Sequence, residues 1–187
     1  MTITKSEIED ELKKKGDYVK IDYLGRLLKK EMATDVRKFV FLKLAEIYES
    51  KGLFSEGAKM IDSASLLSMV SSEKMKYHVK EAELYIKSGF FDRADEAVRK
   101  AMGEANPRDK TEIFKSITDF YKRQAIVYER ENRRNHAAKV YEKLLGMKIE
   151  PAEKEEIGKK LLNLYEKLGK LKEYFALKSR YEPVKKN

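Results

Sequence analysis

Two histidines, His78 and His136, are the only imidazoles in a chain of 187 residues that has no cysteine. Lack of Cys removes thiolate nucleophiles, disulfides and Cys-ligated zinc together. The two histidines stand far apart, and no carboxylate spacing around either suggests a metal triad. Each therefore reads as a helix-surface or packing residue. Asp and Glu are numerous, but they fall at helical spacing from Lys or Arg, where ion pairing accounts for them. No glycine-rich phosphate loop, serine-nucleophile elbow or dinucleotide fingerprint occurs. These residues predict a non-catalytic chain that needs no cofactor and no metal.

Two clusters could recognise a partner instead. Arg123, Arg130, Arg133, Arg134, Lys139 and Lys143 surround Asn132. Nucleic-acid phosphates could use them, but Tyr121 and Tyr128, the rings that might stack on a base, fall at core positions. Glu129, Glu131 and Glu142 interrupt the patch, so ordinary surface charge is the favoured reading. The second cluster, Ser63, Ser65, Ser68, Ser71 and Ser72, lies among Met60, Leu66, Leu67 and Met69. It reads as one long helix packed closely on its neighbours, with a self-association face as the alternative.

Composition narrows the class. Hydrophobic residues make up 42% of the chain, too many for disorder even though 39% are charged. Three Pro and nine Gly leave room for long helices, and the net charge of +9 concentrates in residues 111–187. The 66–70 stretch is the most apolar short run, far below the ~20 residues that cross a bilayer. With no apolar leader at the N-terminus, a soluble, cytoplasmic protein is expected. Lys and Glu dominate while Gln124 is the only Gln, a bias like that of a thermophile's surface.

The elements that must carry these residues are visible in a repeated pattern: aliphatic, Tyr, three variable residues, then Gly or Asn. It occurs at Ile47-Tyr48…Gly52, Leu84-Tyr85…Gly89, Val127-Tyr128…Asn132 and Leu164-Tyr165…Gly169. The tyrosines stand 37, 43 and 37 residues apart, a period that marks stacked helical hairpins. Gly, or Asn as the next best residue, ends each first helix in the left-handed conformation. A small residue precedes three of the tyrosines by three positions (Ala45, Ala82, Ala125), and another opens each following helix (Gly57, Ala94, Ala137). Small side chains at both places let the paired backbones approach. The 43-residue interval holds six extra residues. They either fall around 103–110, where Asn106-Pro107 would open a helix, or lengthen that helix by up to ~9 Å.

This register resembles the tetratricopeptide repeat. The copy at 75–107 carries Ala82, Tyr85, Gly89, Phe91, Ala94, Val98, Ala101 and Pro107 where that family expects them. The copy at 38–71 matches nearly as well, and that at 118–151 has Arg134 in place of the turn aromatic. In the last copy Leu162 and Tyr174 replace the small residues, which marks it as a cap. A fainter unit with Leu12, Gly16, Tyr18 and Ile21 precedes them all. The resemblance implies an all-α fold of about ten helices, antiparallel hairpins stacked in a right-handed superhelix. One domain over 1–187 is expected: a degenerate hairpin at 1–34, three repeats, a capping hairpin at 155–182 and a tail at 183–187.

In that family the first helix of each hairpin lines a concave groove. Carried onto this chain, the inward residues are Phe39, Leu42, Glu46 and Glu49, then Lys76, Val79, Glu83 and Ile86. Lys122, Ile126, Glu129 and Arg130 follow, and then Lys159, Asn163 and Glu166. Some members grip a C-terminal carboxylate with Lys and Asn four apart. Only Lys159 and Asn163 match, in the degenerate copy, so that ligand is discounted. The function implied is a protein-interaction adaptor. A protein or peptide segment would bury apolar side chains on Phe39, Leu42, Val79 and Ile126, while Lys122, Arg130 and Lys159 favour acidic ones. The alternative is a nucleic-acid-associated or regulatory protein using the basic C-terminal third.

Overall fold

A computed structural model describes residues 3–181, and these are all-α. Ten helices follow one another: α1 Lys5–Lys13, α2 Asp17–Leu28, α3 Thr34–Ser50, α4 Phe54–Leu66, α5 Ser71–Ser88, α6 Phe91–Glu104, α7 Pro107–Arg130, α8 Arg134–Leu145, α9 Pro151–Leu168 and α10 Leu171–Tyr181. Two compact units divide the chain, Met1–Ile113 and Phe114–Asn187, with the boundary inside α7. The tail expected at 183–187 lies outside the described residues.

The repeated Tyr-to-Gly pattern is the sequence of one recurring turn. Gly52, Gly89 and Gly169 adopt φ of 72°, 82° and 67°, and Asn132 joins them at 57° as the sole non-glycine with positive φ among the described residues. The amide after each donates to the carbonyl of the Tyr five residues back. Leu53 reaches Tyr48 at 2.8 Å, Phe90 reaches Tyr85 at 3.0 Å, Arg133 reaches Tyr128 at 2.8 Å and Lys170 reaches Tyr165 at 2.9 Å. A second bond runs from the left-handed residue itself to the carbonyl after the Tyr, 3.0 to 3.1 Å in all four. This pair of bonds is the Schellman closure, which satisfies carbonyls that a helix end leaves open. The next helix starts within two residues, so α3–α4, α5–α6, α7–α8 and α9–α10 are helical hairpins closed by the same turn. Cations cover the tyrosines at these corners: Arg93 lies 5.8 Å from the Tyr85 ring, Arg133 4.5 Å from Tyr128 and Lys170 5.9 Å from Tyr165.

Small residues bring the paired helices together as expected. Ala45, Ala82, Ala94, Ala125 and Ala137 are buried, as is Gly57. A Cβ on Gly57 would stand 3.4 Å from the Ala45 carbonyl and 3.6 Å from the Tyr48 Cβ. That is ordinary contact for a methyl group, with no room for a larger side chain.

Within the first unit, α1 and α2 close the end of α3. Ile8, Leu12, Leu24 and Leu27 form one core with Val36, Val40 and Leu44. Thr4 and Glu7 make a capping box at the start of α1. Arg37 of α3 donates to the carbonyls of Leu28 at 3.0 Å and Lys30 at 2.9 Å, capping α2 from a neighbouring helix. Gly16 departs from the repeat. It is the extended N-cap of α2 at φ −73°, because α1 already ends at Lys13, with Lys14 as a right-handed C-cap.

The six extra residues are helical. Asn106 Oδ1 accepts from the Asp109 amide at 2.9 Å, Pro107 opens α7, and α7 runs 24 residues against 18 for α5. The Ser cluster is not one long helix. α4 stops at Leu66, Ser65 turns back onto the Asp62 carbonyl, and Ser71 and Ser72 belong to α5. Leu66, Met69 and Val70 are left exposed at the turn between them.

At Asn132 the left-handed backbone costs Asn little and a β-branched residue more. Asn132→Gly should leave chemical denaturation unchanged or slightly improved, and Asn132→Val should destabilise by about 1–2 kcal/mol. Gly57→Ala should gain about 0.5 kcal/mol through helix propensity. Gly57→Leu should lose about 1–3 kcal/mol by overpacking against α3.

Candidate peptide-binding faces

In the first unit the expected residues lie on α3 and α5. Lys38, Leu42, Glu46 and Glu49 recur at helical spacing along α3, and Glu73, Lys76, Lys80, Glu83 and Lys87 do so along α5. Ion pairs tie the two stripes. Lys38 Nζ lies 2.8 Å from Glu73 Oε2, while Glu49 meets Lys80 at 2.8 Å and Lys87 at 2.7 Å. Phe39, Leu42 and Val79 are half-buried, Phe39 against the core that α3 shares with α1 and α2. Lys76 is exposed, Glu83 is half-buried, and Glu46 is exposed and pairs with Lys43 at 3.2 Å. Glu46 also lines a hollow of about 390 Å³ with Glu9, Leu12, Lys13, Lys20, Lys43 and Ile47. Ile86 is no face residue: it is fully buried, on the side of α5 that meets the core.

Glu73 is the hub of this face. It accepts from Lys38 with both oxygens, at 2.8 and 3.0 Å, from Tyr77 at 3.0 Å and from the Ser68 hydroxyl. The Lys38 and Ser68 hydrogen bonds outweigh burial and hold its carboxyl down at about 2. Burial, then the bond to Glu73, pushes the Tyr77 hydroxyl up to about 12. At Glu49 burial works to raise the carboxyl, but the bonds from Lys80 and Lys87 prevail and lower it.

In the second unit the expected residues lie on α7 and α9. Ile126 is 41% exposed, and Arg130, Lys159 and Asn163 are exposed as well. Lys122 is half-buried and bridges to Glu153 of α9 at 2.7 Å; Lys159 pairs with Glu155 at 2.6 Å. Two of the three cations expected to attract carboxylates therefore already face one. Tyr121 and Tyr128 are fully buried, so neither ring is open to stack on a base. Arg133 lies over Tyr128 and pairs with Glu131 at 3.5 Å. A hollow of about 320 Å³ beside it is lined by Asn132, Arg133, Arg134, Asn135, His136 and Leu168.

His78 is neither a surface residue nor a simple packing one. Its Nδ1 lies 2.9 Å from Glu81 Oε2, and both residues are buried, with Asp62 and Lys100 at hand. The signal was present at the level of period: positions 78, 81 and 85 share the buried stripe of α5. Burial works against the Lys100 ammonium, yet its hydrogen bond to Asp62 and the Glu81 charge raise it overall.

No protein-family model and no curated protein matches this chain. Among solved structures it is similar to BtubC (BKLC) from P. vanneervenii, with 14% identity over 93% of this chain and 75% of that one, at a TM-score of 0.41. It is also similar to MamA, with 16% identity over 95% of this chain and 92% of that one, at a TM-score of 0.42. No helix among the described residues is long and apolar enough to cross a membrane.

The Glu73 hub sets a pH signature. A carboxyl held below its ordinary 4.5 stabilises the fold fully above that value, and the contribution disappears as pH falls through about 2. Its side chain is 35% exposed, so solvent screening reduces the effect. Glu73→Gln should cost about 1 kcal/mol at neutral pH in urea unfolding. The gap to the parent chain should narrow below pH 4.5 and close near pH 2.

Proposed function

We propose that this chain is a non-catalytic scaffold that holds a protein segment against the first helices of its hairpins. The observation that carries the reading is the surroundings of Phe39, Leu42 and Val79. Leu42 and Val79 stay half-buried on the two helices that the Lys38–Glu73, Glu49–Lys80 and Glu49–Lys87 pairs tie together, while Phe39 packs half-buried against the core of α1 and α2. A paired charge presents less unmet demand to a ligand than an open one, so apolar contact dominates recognition there. An extended or helical segment would bury its own apolar side chains on that strip.

Ile126 offers the second unit a similar contact. Lys122 and Lys159 are occupied by Glu153 and Glu155, so the preference for an acidic segment rests on Arg130. The tetratricopeptide-like register supports the reading because it places variable positions on these helices and packing positions elsewhere. Lack of Cys accords with a cytoplasmic setting.

Leu42→Glu and Ile126→Glu test the proposal. A partner captured from the source organism and purified should bind the double variant at least ~10-fold more weakly than the parent chain, the size of a lost apolar anchor. Helicity by circular dichroism should stay the same, since neither position is buried. Equal affinity would take both faces out of the function.

A further inference from the structure

Asp62 of α4 and His78 and Glu81 of α5 converge beside Lys100 of α6. One donor atom from each of Asp62, His78 and Glu81 lies within 4.8 Å of the other two. The His78 and Glu81 side chains are only 10% and 4% exposed, and His78 Nδ1 and Glu81 Oε2 stand 2.9 Å apart. Lys100 Nζ is 2.9 Å from Asp62 Oδ1 but 3.5 Å from Glu81 Oε1. A charge-assisted contact is ordinarily about 2.7–2.9 Å, so the ammonium serves Asp62 well and the buried Glu81 poorly.

Charge sharpens the point. Two carboxylates share one ammonium there, and that ammonium stands 3.5 Å from the buried Glu81 carboxylate, so the charge of Glu81 is weakly compensated by it. A divalent cation in place of the ammonium brings the group to neutrality. One imidazole nitrogen and two carboxylate oxygens form a donor set that zinc accepts, with water completing four-coordination. Asp62 and Lys100 are each 35% exposed, so an ion has a route in. Lys100 can turn to solvent with its charge intact, leaving no buried cation behind.

We propose that Asp62, His78 and Glu81 bind a divalent transition metal, zinc foremost, and that the Lys100 ammonium is the group it displaces. The ion joins α4 to α5, which belong to successive hairpins, so it acts as a staple between repeats. It neither needs nor implies a reaction.

The untagged full-length chain, stripped with a chelator and titrated with Co²⁺, tests this. One equivalent should bind with visible ligand-field bands of a low-coordinate site; Zn²⁺ should abolish the bands and raise the melting temperature. His78→Gln and Glu81→Gln should lose the bands. Lys100→Met should bind Co²⁺ about tenfold more tightly, since the competing cation is gone. No bands at saturating Co²⁺, or bands that survive His78→Gln, would overturn the proposal. Where the Gln variants do not fold, Lys100→Met decides, and an unchanged or weaker affinity overturns it.

Discussion

One left-handed residue in each of four hairpins fixes where the helices around it can lie. At Gly52, Gly89, Asn132 and Gly169 the backbone reverses so that the next amide reaches the Tyr carbonyl five residues back. The constraint is geometric before it is chemical. Once that bond forms, the second helix must start within two residues and run back along the first. The tyrosine that supplies the carbonyl then has its ring at the corner, where Arg93, Arg133 or Lys170 can cover it. The small residues follow from the same turn, because a helix returning so soon must pass close to its partner. Gly57, where an added Cβ would stand 3.4 Å from the Ala45 carbonyl, is one such approach.

The sequence made this skeleton legible because its signals are local. A left-handed stop, a small residue three positions from a Tyr and a proline at a helix start each act within one turn of chain. Asn132 was readable as a stop for that reason. Gly16 was not, since the same residue type also suits an extended N-cap, and the short α1 ends before reaching it. The Ser-rich run was misread as one helix: α4 ends at Leu66, and Ser68 beyond it is tied to Glu73 of α5 by a side-chain bond that composition does not display.

The faces were harder to read because a partner's presence is a property of neighbouring helices. Phe39, Leu42 and Val79 could be placed on the first helices from the register alone. That Lys122 is tied to Glu153, 31 residues away, could not. The repeat register placed Ile86 on the face, yet it falls on the core side, fully buried. His78 and Glu81 are the instructive case. Their spacing put them on the buried stripe, but the charge they meet there comes from Asp62 on α4 and Lys100 on α6, and only the folded chain brings those together.

The recurring corner has an evolutionary consequence. Its two hydrogen bonds run entirely between backbone atoms, so they ask almost nothing of side-chain chemistry beyond tolerance of one unusual torsion. Lineages that keep a glycine or asparagine at those corners, with room for two helices to touch, are free to rewrite most other positions. Such a scaffold can drift until little textual trace of its ancestry survives while its architecture persists, and new surfaces can be tried without first inventing a new fold.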